Sequence, residues 1–122
     1  MRESIAGFLA GLPEMEVCGV AANYDDALAG LAKVNVTLML CDISLPSTSG
    51  LDLINEARRR WPDLRCIVLS GHDERAYASR AFLLGACGYV RKGDANQLRE
   101  ALEYALRGEK YPPNGPEINQ PR

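Results

Sequence analysis

The sequence predicts an α/β domain, a doubly wound parallel sheet between two layers of helices. Three observations predict it. Short apolar or β-branched runs alternate with amphipathic helical patterns along the chain, the arrangement that βαβ crossovers produce. One of these runs, "VTLMLCD" at residues 36–42, is almost continuously apolar until its last residue, as suits a strand covered on both faces. Finally, 122 residues with 47% hydrophobic and 25% charged content are enough for one core and give no sign of a second domain.

The elements follow in order. Residues 3–12 carry Ile5, Phe8, Leu9 and Leu12 at the spacing of one helical face. "EVCGVAA" (16–22) reads as a strand, and Asn23 is placed to cap a helix with Ala27, Leu28, Leu31 and Ala32 inward. After "VTLMLCD" the chain turns through Pro46 and Gly50 into "GLDLINEARRR", a helix that ends near Trp61-Pro62 because a proline disfavours helical backbone in the residue before it. "RCIVLS" (65–70) is the next strand, with a helix over 74–84 behind it. "ACGYVRK" (86–92) then leads into a helix over 95–107 with Leu98, Ala101, Leu102, Ala105 and Leu106 on one face. That makes four strands and five helices, which right-handed crossovers assemble into a parallel sheet. The remainder, "YPPNGPEINQPR", holds four of the seven prolines and reads as a linker or disordered end. Residues 1–108 are therefore taken as the domain and 109–122 as a proline-containing tail.

Composition excludes several functions. A net charge of -2, from 14 basic and 16 acidic residues, provides no electrostatic surplus for binding nucleic acid directly. No apolar run approaches the roughly 18 residues of a membrane span, and the opening "MRESIAGFLAGL" is a poor signal peptide. The expected location is the cytoplasm. Cys18, Cys41, Cys66 and Cys87 are almost evenly spaced, but they form no CxxC pair and each falls in or beside an apolar run. They read as buried thiols, one per strand-helix unit, and not as a zinc or disulfide framework.

Sites in such sheets form at the carboxyl ends of the strands. Asp42, Ser70 and Lys92 each stand at one, so three units aim a carboxylate, a hydroxyl and an ammonium at one edge. A carboxylate there can be a nucleophile toward phosphorus, a metal ligand or a helix cap. A lysine can neutralise phosphoryl charge and a serine can hydrogen-bond a phosphoryl oxygen. Taken singly, each also has a plain structural role as a cap, turn hydroxyl or solvated strand end. A hydrolase reading of "SGHD", with Ser70, His72 and Asp73, fails because sequence neighbours rarely converge as a triad needs, and no G-x-S-x-G elbow is present. A nucleotide or flavin site lacks its glycine-rich phosphate loop. No enzyme is expected.

"LMLCDISLPSTSGLDLI" resembles the phosphoacceptor segment of the receiver domains of two-component response regulators, with Asp42 at the phosphorylated aspartate, Pro46 in the loop and Gly50 opening the helix. "CIVLSGHD" is similar to the segment carrying that family's switch hydroxyl, here Ser70, followed by the small residue Gly71. "GACGYVRKGD" resembles its last strand, with Tyr89 at the aromatic switch and Lys92 at the phosphate-contacting lysine. The resemblance covers about residues 2–108. It is closest to the NarL/FixJ class, which carries a LuxR-type helix-turn-helix output. It implies a flavodoxin-like three-layer sandwich and a mechanism in which a histidine kinase supplies the phosphoryl group, Asp42 accepts it with Mg²⁺ bound, and Ser70 and Tyr89 shift inward. Control of transcription would follow, with DNA contacted only through an output domain outside this chain and a homodimer as a further option. The other reading carried forward is a truncated receiver-like interaction module that works without phosphorylation. Tyr89 read by itself is equally a half-buried strand aromatic.

Two departures from the pattern matter. Receivers begin with an apolar strand ending in two acids which, with the phosphoacceptor and a backbone carbonyl two residues after it, here that of Ser44, hold the Mg²⁺. "MRES" resembles the start of the first helix, so that strand and its acidic pair are expected to be absent, and Mg²⁺ binding with them. Asp25 and Asp26 read as helix-dipole partners and not as replacements, and Asp73 as a cap. In the family's strand order, 2-1-3-4-5, the gap falls in mid-sheet, so an isolated monomer is expected to be unstable or rearranged. The favoured account is a chain whose true start lies upstream.

Overall fold

The computed structural model describes residues 11, 21, 24–42, 50–70 and 75–111. The chain divides into two units, residues 1–36 and 37–122. The first contains helix α1 (Tyr24–Lys33), with Asp25 and Asp26 in its first turn and Lys33 in its last, the charge order that complements a helix dipole. Ala27, Leu28 and Leu31 are half-buried, but Ala32 is exposed, which corrects the inward set. At 100° per residue Ala32 lies about a quarter turn from the centre of the stripe formed by the other three.

The second unit alternates as the sequence predicts: β1 (Leu38–Asp42), α2 (Gly50–Arg60), β2 (Arg65–Ser70), α3 (Arg75–Leu83), β3 (Gly88–Arg91) and α4 (Ala95–Leu106). The strands form a parallel sheet in the order β1-β2-β3. Parallel neighbours joined by helical crossovers are what the alternation requires. The expected helix at 3–12, the strand at 16–22, the absent first strand, Asn23, Ser44, Pro46, Gly71, His72, Asp73 and the tail from residue 112 lie outside the described residues.

The enclosed strand is β2, where Cys66, Ile67, Val68, Leu69 and Ser70 are all buried. In β1 only Cys41 is buried, and Leu38, Met39 and Leu40 are half-buried. This differs from the expectation that "VTLMLCD" is covered on both faces, because among the described residues β1 pairs with β2 alone while β2 has a neighbour on each side. Against the sheet the helices supply narrow apolar stripes: Leu51, Leu53, Ile54 and Ala57 from α2, and Leu98, Ala101, Leu102 and Ala105 from α4. Each leucine buried this way contributes about 1.5–3 kcal/mol. Leu106 is 51% exposed, which corrects its place on the α4 face. It projects about 80° from Leu98, at the border of the stripe.

Two turns aim the strand ends. Arg58, in the last turn of α2, donates from Nη1 to the carbonyls of Leu64, at 2.8 Å, and Pro62, which fastens the α2–β2 connection. Gly85 passes beside it with φ of 109°, and a Cβ there would stand 2.6 Å from Arg58 Nε. After β3, Gly93 takes φ of 90°, and Asp94 caps α4 by accepting from the Gln97 N–H at 3.0 Å. The same Gln97 accepts from the Arg91 N–H at 2.9 Å, so one side chain ties the helix start to the end of β3.

Candidate functional site

Parallel register sets the three strand ends side by side. Asp42, the last residue of β1, is opposite Leu69, and Ser70, the last of β2, is opposite Arg91. Lys92 follows β3 directly, and its backbone N–H donates to the Ser70 carbonyl at 2.7 Å. From this anchored position its Nζ reaches Asp42 Oδ2 at 2.8 Å. The pair spans from β3 to β1 across the end of β2, about two inter-strand spacings or ~9–10 Å, a distance that a long side chain can cover. Its groups are sheltered, with side-chain exposures of 19% for Lys92 and 9% for Asp42. Ser70 is fully buried at the end of the strand between them. Asp42, Ser70 and Lys92 thus meet at one sheet edge.

A carboxylate and an ammonium beside a buried hydroxyl can bind and transfer an anion. In chemistry of that kind a carboxylate can serve as nucleophile, an ammonium can offset arriving negative charge, and a hydroxyl can act as a neutral donor. The neighbouring thiol is no competitor. Burial, and then the adjacent Asp42 charge, push Cys41 up to about 12, so it stays protonated, and its Sγ lies 3.8 Å from the Gly50 carbonyl at the start of α2. Burial likewise pushes Cys66 up to about 12 and raises Cys87. Cys41 and Cys66 are buried free thiols and Cys87 is half-buried, in line with the structural reading of the cysteines; Cys18 lies outside the described residues.

Among the described residues no group of three or more His, Cys, Asp or Glu is placed to hold a metal ion. Asp42 supplies one carboxylate, and these residues alone do not assemble a magnesium site. Asp25 and Asp26 belong to the first turn of α1, in the other unit.

Tyr89 is half-buried on β3 opposite Val68, and its N–H donates to the Tyr111 carbonyl at 3.0 Å. Sequence reasoning missed Tyr111, having assigned it to the tail. An aromatic placed seven residues after Tyr104 and just before two prolines was the available signal. It also missed Gln97, whose tie to Arg91 leaves no trace in periodicity.

Comparison with known proteins gives a consistent picture. A family model described as the response regulator receiver domain matches residues 1–103. The chain is 33% identical over 111 residues to the transcriptional regulatory protein DegU of Brevibacillus brevis, covering 90% of this chain and 47% of that protein. It is 35% identical over 92 residues to the transcriptional regulatory protein UhpA of Salmonella typhimurium, covering 75% and 45%. Among solved structures, a LuxR-family two-component response regulator from Aurantimonas sp. SI85-9A1 superposes with a TM-score of 0.82 at 27% identity, covering 88% of this chain and 78% of that one. The RcsB response regulator of Salmonella typhimurium gives a TM-score of 0.82 at 27% identity, covering 92% and 57%. The chain spans about half the length of the curated relatives it matches.

Proposed function

Because the chain belongs to the response regulator receiver domain family, we propose that it accepts a phosphoryl group from a histidine kinase on Asp42 and passes the signal on as a change in partner binding. The observation that carries this reading is the 2.8 Å contact between Lys92 Nζ and Asp42 Oδ2, beside the buried Ser70. In the proposed step a carboxylate oxygen of Asp42 attacks phosphorus, the phosphorus–nitrogen bond of the donor's phosphohistidine breaks, and the electron pair returns to the imidazole. An acyl phosphate remains on Asp42. Its charge exceeds that of the original carboxylate, and the Lys92 ammonium stands within reach of the added oxygens. The Ser70 hydroxyl donates to one of them. Its movement, with that of Tyr89, shifts the population between two arrangements of the β3 side of the domain.

Magnesium, which the family implies, would neutralise phosphoryl oxygens during transfer. Asp42 would be one ligand; the Ser44 carbonyl, which the family resemblance adds, and any further ligands lie outside the described residues. Transcription is the proposed output. Named relatives are transcriptional regulators, and one solved neighbour is an RcsB–DNA complex. In this proposal residues 1–108 form the receiver, 109–122 are the proline-containing tail, and DNA is contacted only through an output domain outside this chain. Among the described residues no helix is long and apolar enough to cross a membrane, and a cytoplasmic location suits the role.

The test is incubation with a small phosphodonor and Mg²⁺, followed by intact-mass analysis. Gain of one phosphoryl group, lost in Asp42→Asn, supports the reading. Partner binding that ignores both the donor and the substitution would favour an interaction module instead.

A further inference from the structure

The chain does not leave the domain where α4 ends. Gly108 takes φ of 76°, the left-handed conformation that closes helices, while the Gly108 N–H donates to the Ala105 carbonyl at 3.0 Å and the Glu109 N–H to the Tyr104 carbonyl at 2.8 Å. The backbone then returns to the sheet. Tyr111 lies parallel to β3 in a single bridge to Gly88: the Tyr89 N–H donates to the Tyr111 carbonyl at 3.0 Å and the Tyr111 N–H to the Cys87 carbonyl at 2.9 Å. Its ring meets Tyr104 edge-on at 5.2 Å between centroids, and its hydroxyl donates to the Glu100 carboxylate at 2.7 Å. The Lys110 ammonium lies 5.9 Å from the Phe82 ring centroid. Pro112 and Pro113 come next in the sequence, and proline has no N–H to give to a ladder.

What this segment covers is self-complementary. It occupies the outward carbonyl of Cys87 and the outward N–H of Tyr89, with Gly88 between them. A two-fold axis through Gly88 would set each copy's Tyr89 N–H on the other's Cys87 carbonyl, an antiparallel bridge that uses the same two groups. The central pair of such a bridge approaches to about 4.5 Å between Cα atoms, a closeness that glycine accommodates. Uncovered strand edges are templates for pairing with another chain.

We propose that residues 109–111 are a strap that keeps the β3 edge closed, and that its release makes this edge a contact with a second copy of the chain. The strap wins while docked because it is tethered beside its site, at high effective concentration. This inference goes beyond the phosphoacceptor reading and does not depend on it.

The test uses three variants of the full chain, with circular dichroism to check the fold. Tyr111→Pro removes the N–H and the ring, Tyr111→Gly removes the ring and hydroxyl, and Tyr111→Phe removes only the contact with Glu100. Amide exchange at Tyr89 is read in dilute solution and at high concentration, beside the mass from sedimentation equilibrium. The expected result in dilute solution is exchange at Tyr89 faster by on the order of tenfold in the Pro and Gly variants. Their mass then rises toward a dimer with concentration, and protection of that amide returns. The Phe variant shifts less in the same direction and keeps the test readable should the others lose the fold. The proposal is overturned by unchanged exchange at Tyr89, by variants that stay monomeric with the amide exposed, or by a dimer in which that amide remains unprotected.

Discussion

Replacing Lys92 by methionine keeps the length of the side chain and removes its charge, leaving Asp42 in its sheltered position without the ammonium at 2.8 Å. The cost lies between two limits. Exposed ion pairs contribute about 0–1 kcal/mol, whereas removing one partner of a buried pair costs about 3–5 kcal/mol because the other charge is stranded. With Asp42 9% and Lys92 19% exposed, the site is close to the buried limit but still open to water on the lysine side, so a loss of about 2–3 kcal/mol is expected. At a urea dependence of about 1–3 kcal/mol per molar for a small domain, the unfolding midpoint falls by about 0.7–3 M. Part of this is the penalty for Asp42 itself, and a double-mutant cycle with Asp42→Asn separates the two. Asp42→Asn relieves the stranded charge, so adding it to Lys92→Met restores stability, with a coupling energy of about 1–2 kcal/mol. Urea denaturation of the four proteins at neutral pH supplies every term. A coupling below about 0.5 kcal/mol would refute the reasoning, since it would mean that the two charges do not meet in solution.

Gly85→Ala should destabilise by about 2–4 kcal/mol, because φ of 109° strains any side chain and the new Cβ would meet Arg58 Nε at 2.6 Å; denaturation that matches the parent chain would contradict that packing. Cys41 and Cys66 ionise near 9.0 when unfolded and are pushed up to about 12 by the fold, so their protonated burial stabilises fully below pH 9 and is lost as pH rises toward 12. Each thiol should then cost about 1.4 kcal/mol per pH unit above 9, and urea midpoints followed from about pH 8 to about pH 10.5 should fall less steeply in Cys66→Ala; an equal slope would sink this account. Asp94→Ala removes the acceptor for the Gln97 N–H and should cost about 1 kcal/mol, with faster amide exchange in the first turn of α4; unchanged exchange there would show that the cap is idle.

The alternation of strand and helix was legible because each element has its own period. "RCIVLS" is a short apolar run bounded by turn residues, and the α4 stripe of Leu98, Ala101, Leu102 and Ala105 repeats at helical spacing. The meeting of Asp42 and Lys92 was legible for a different reason. They are remote in sequence, but parallel topology brings every strand's carboxyl end to the same edge, so position along the strand foretold proximity in space. Other features left no local signal. Among the described residues, the enclosure of β2 rather than β1 follows from β2 having a strand on each side, and hydrophobicity does not record pairing. Ala32 and Leu106 lie at the borders of their stripes, where one residue's rotation separates burial from exposure. Arg58 looks in sequence like one member of a basic helix terminus, while in the fold its guanidinium serves the Leu64 and Pro62 carbonyls. Tyr111 makes a bridge of a single residue, too short to leave any periodicity.

The most direct test of the central claim is site-resolved detection of the acyl phosphate. The chain is treated with a small phosphodonor and Mg²⁺, the product is trapped by borohydride reduction, and the modified residue is located by peptide mass spectrometry. The account predicts a single modified residue, Asp42, with labelling slowed in Lys92→Met and absent in Asp42→Asn. A chain that is folded, and labels elsewhere or not at all under conditions where an intact receiver labels fully, would contradict it.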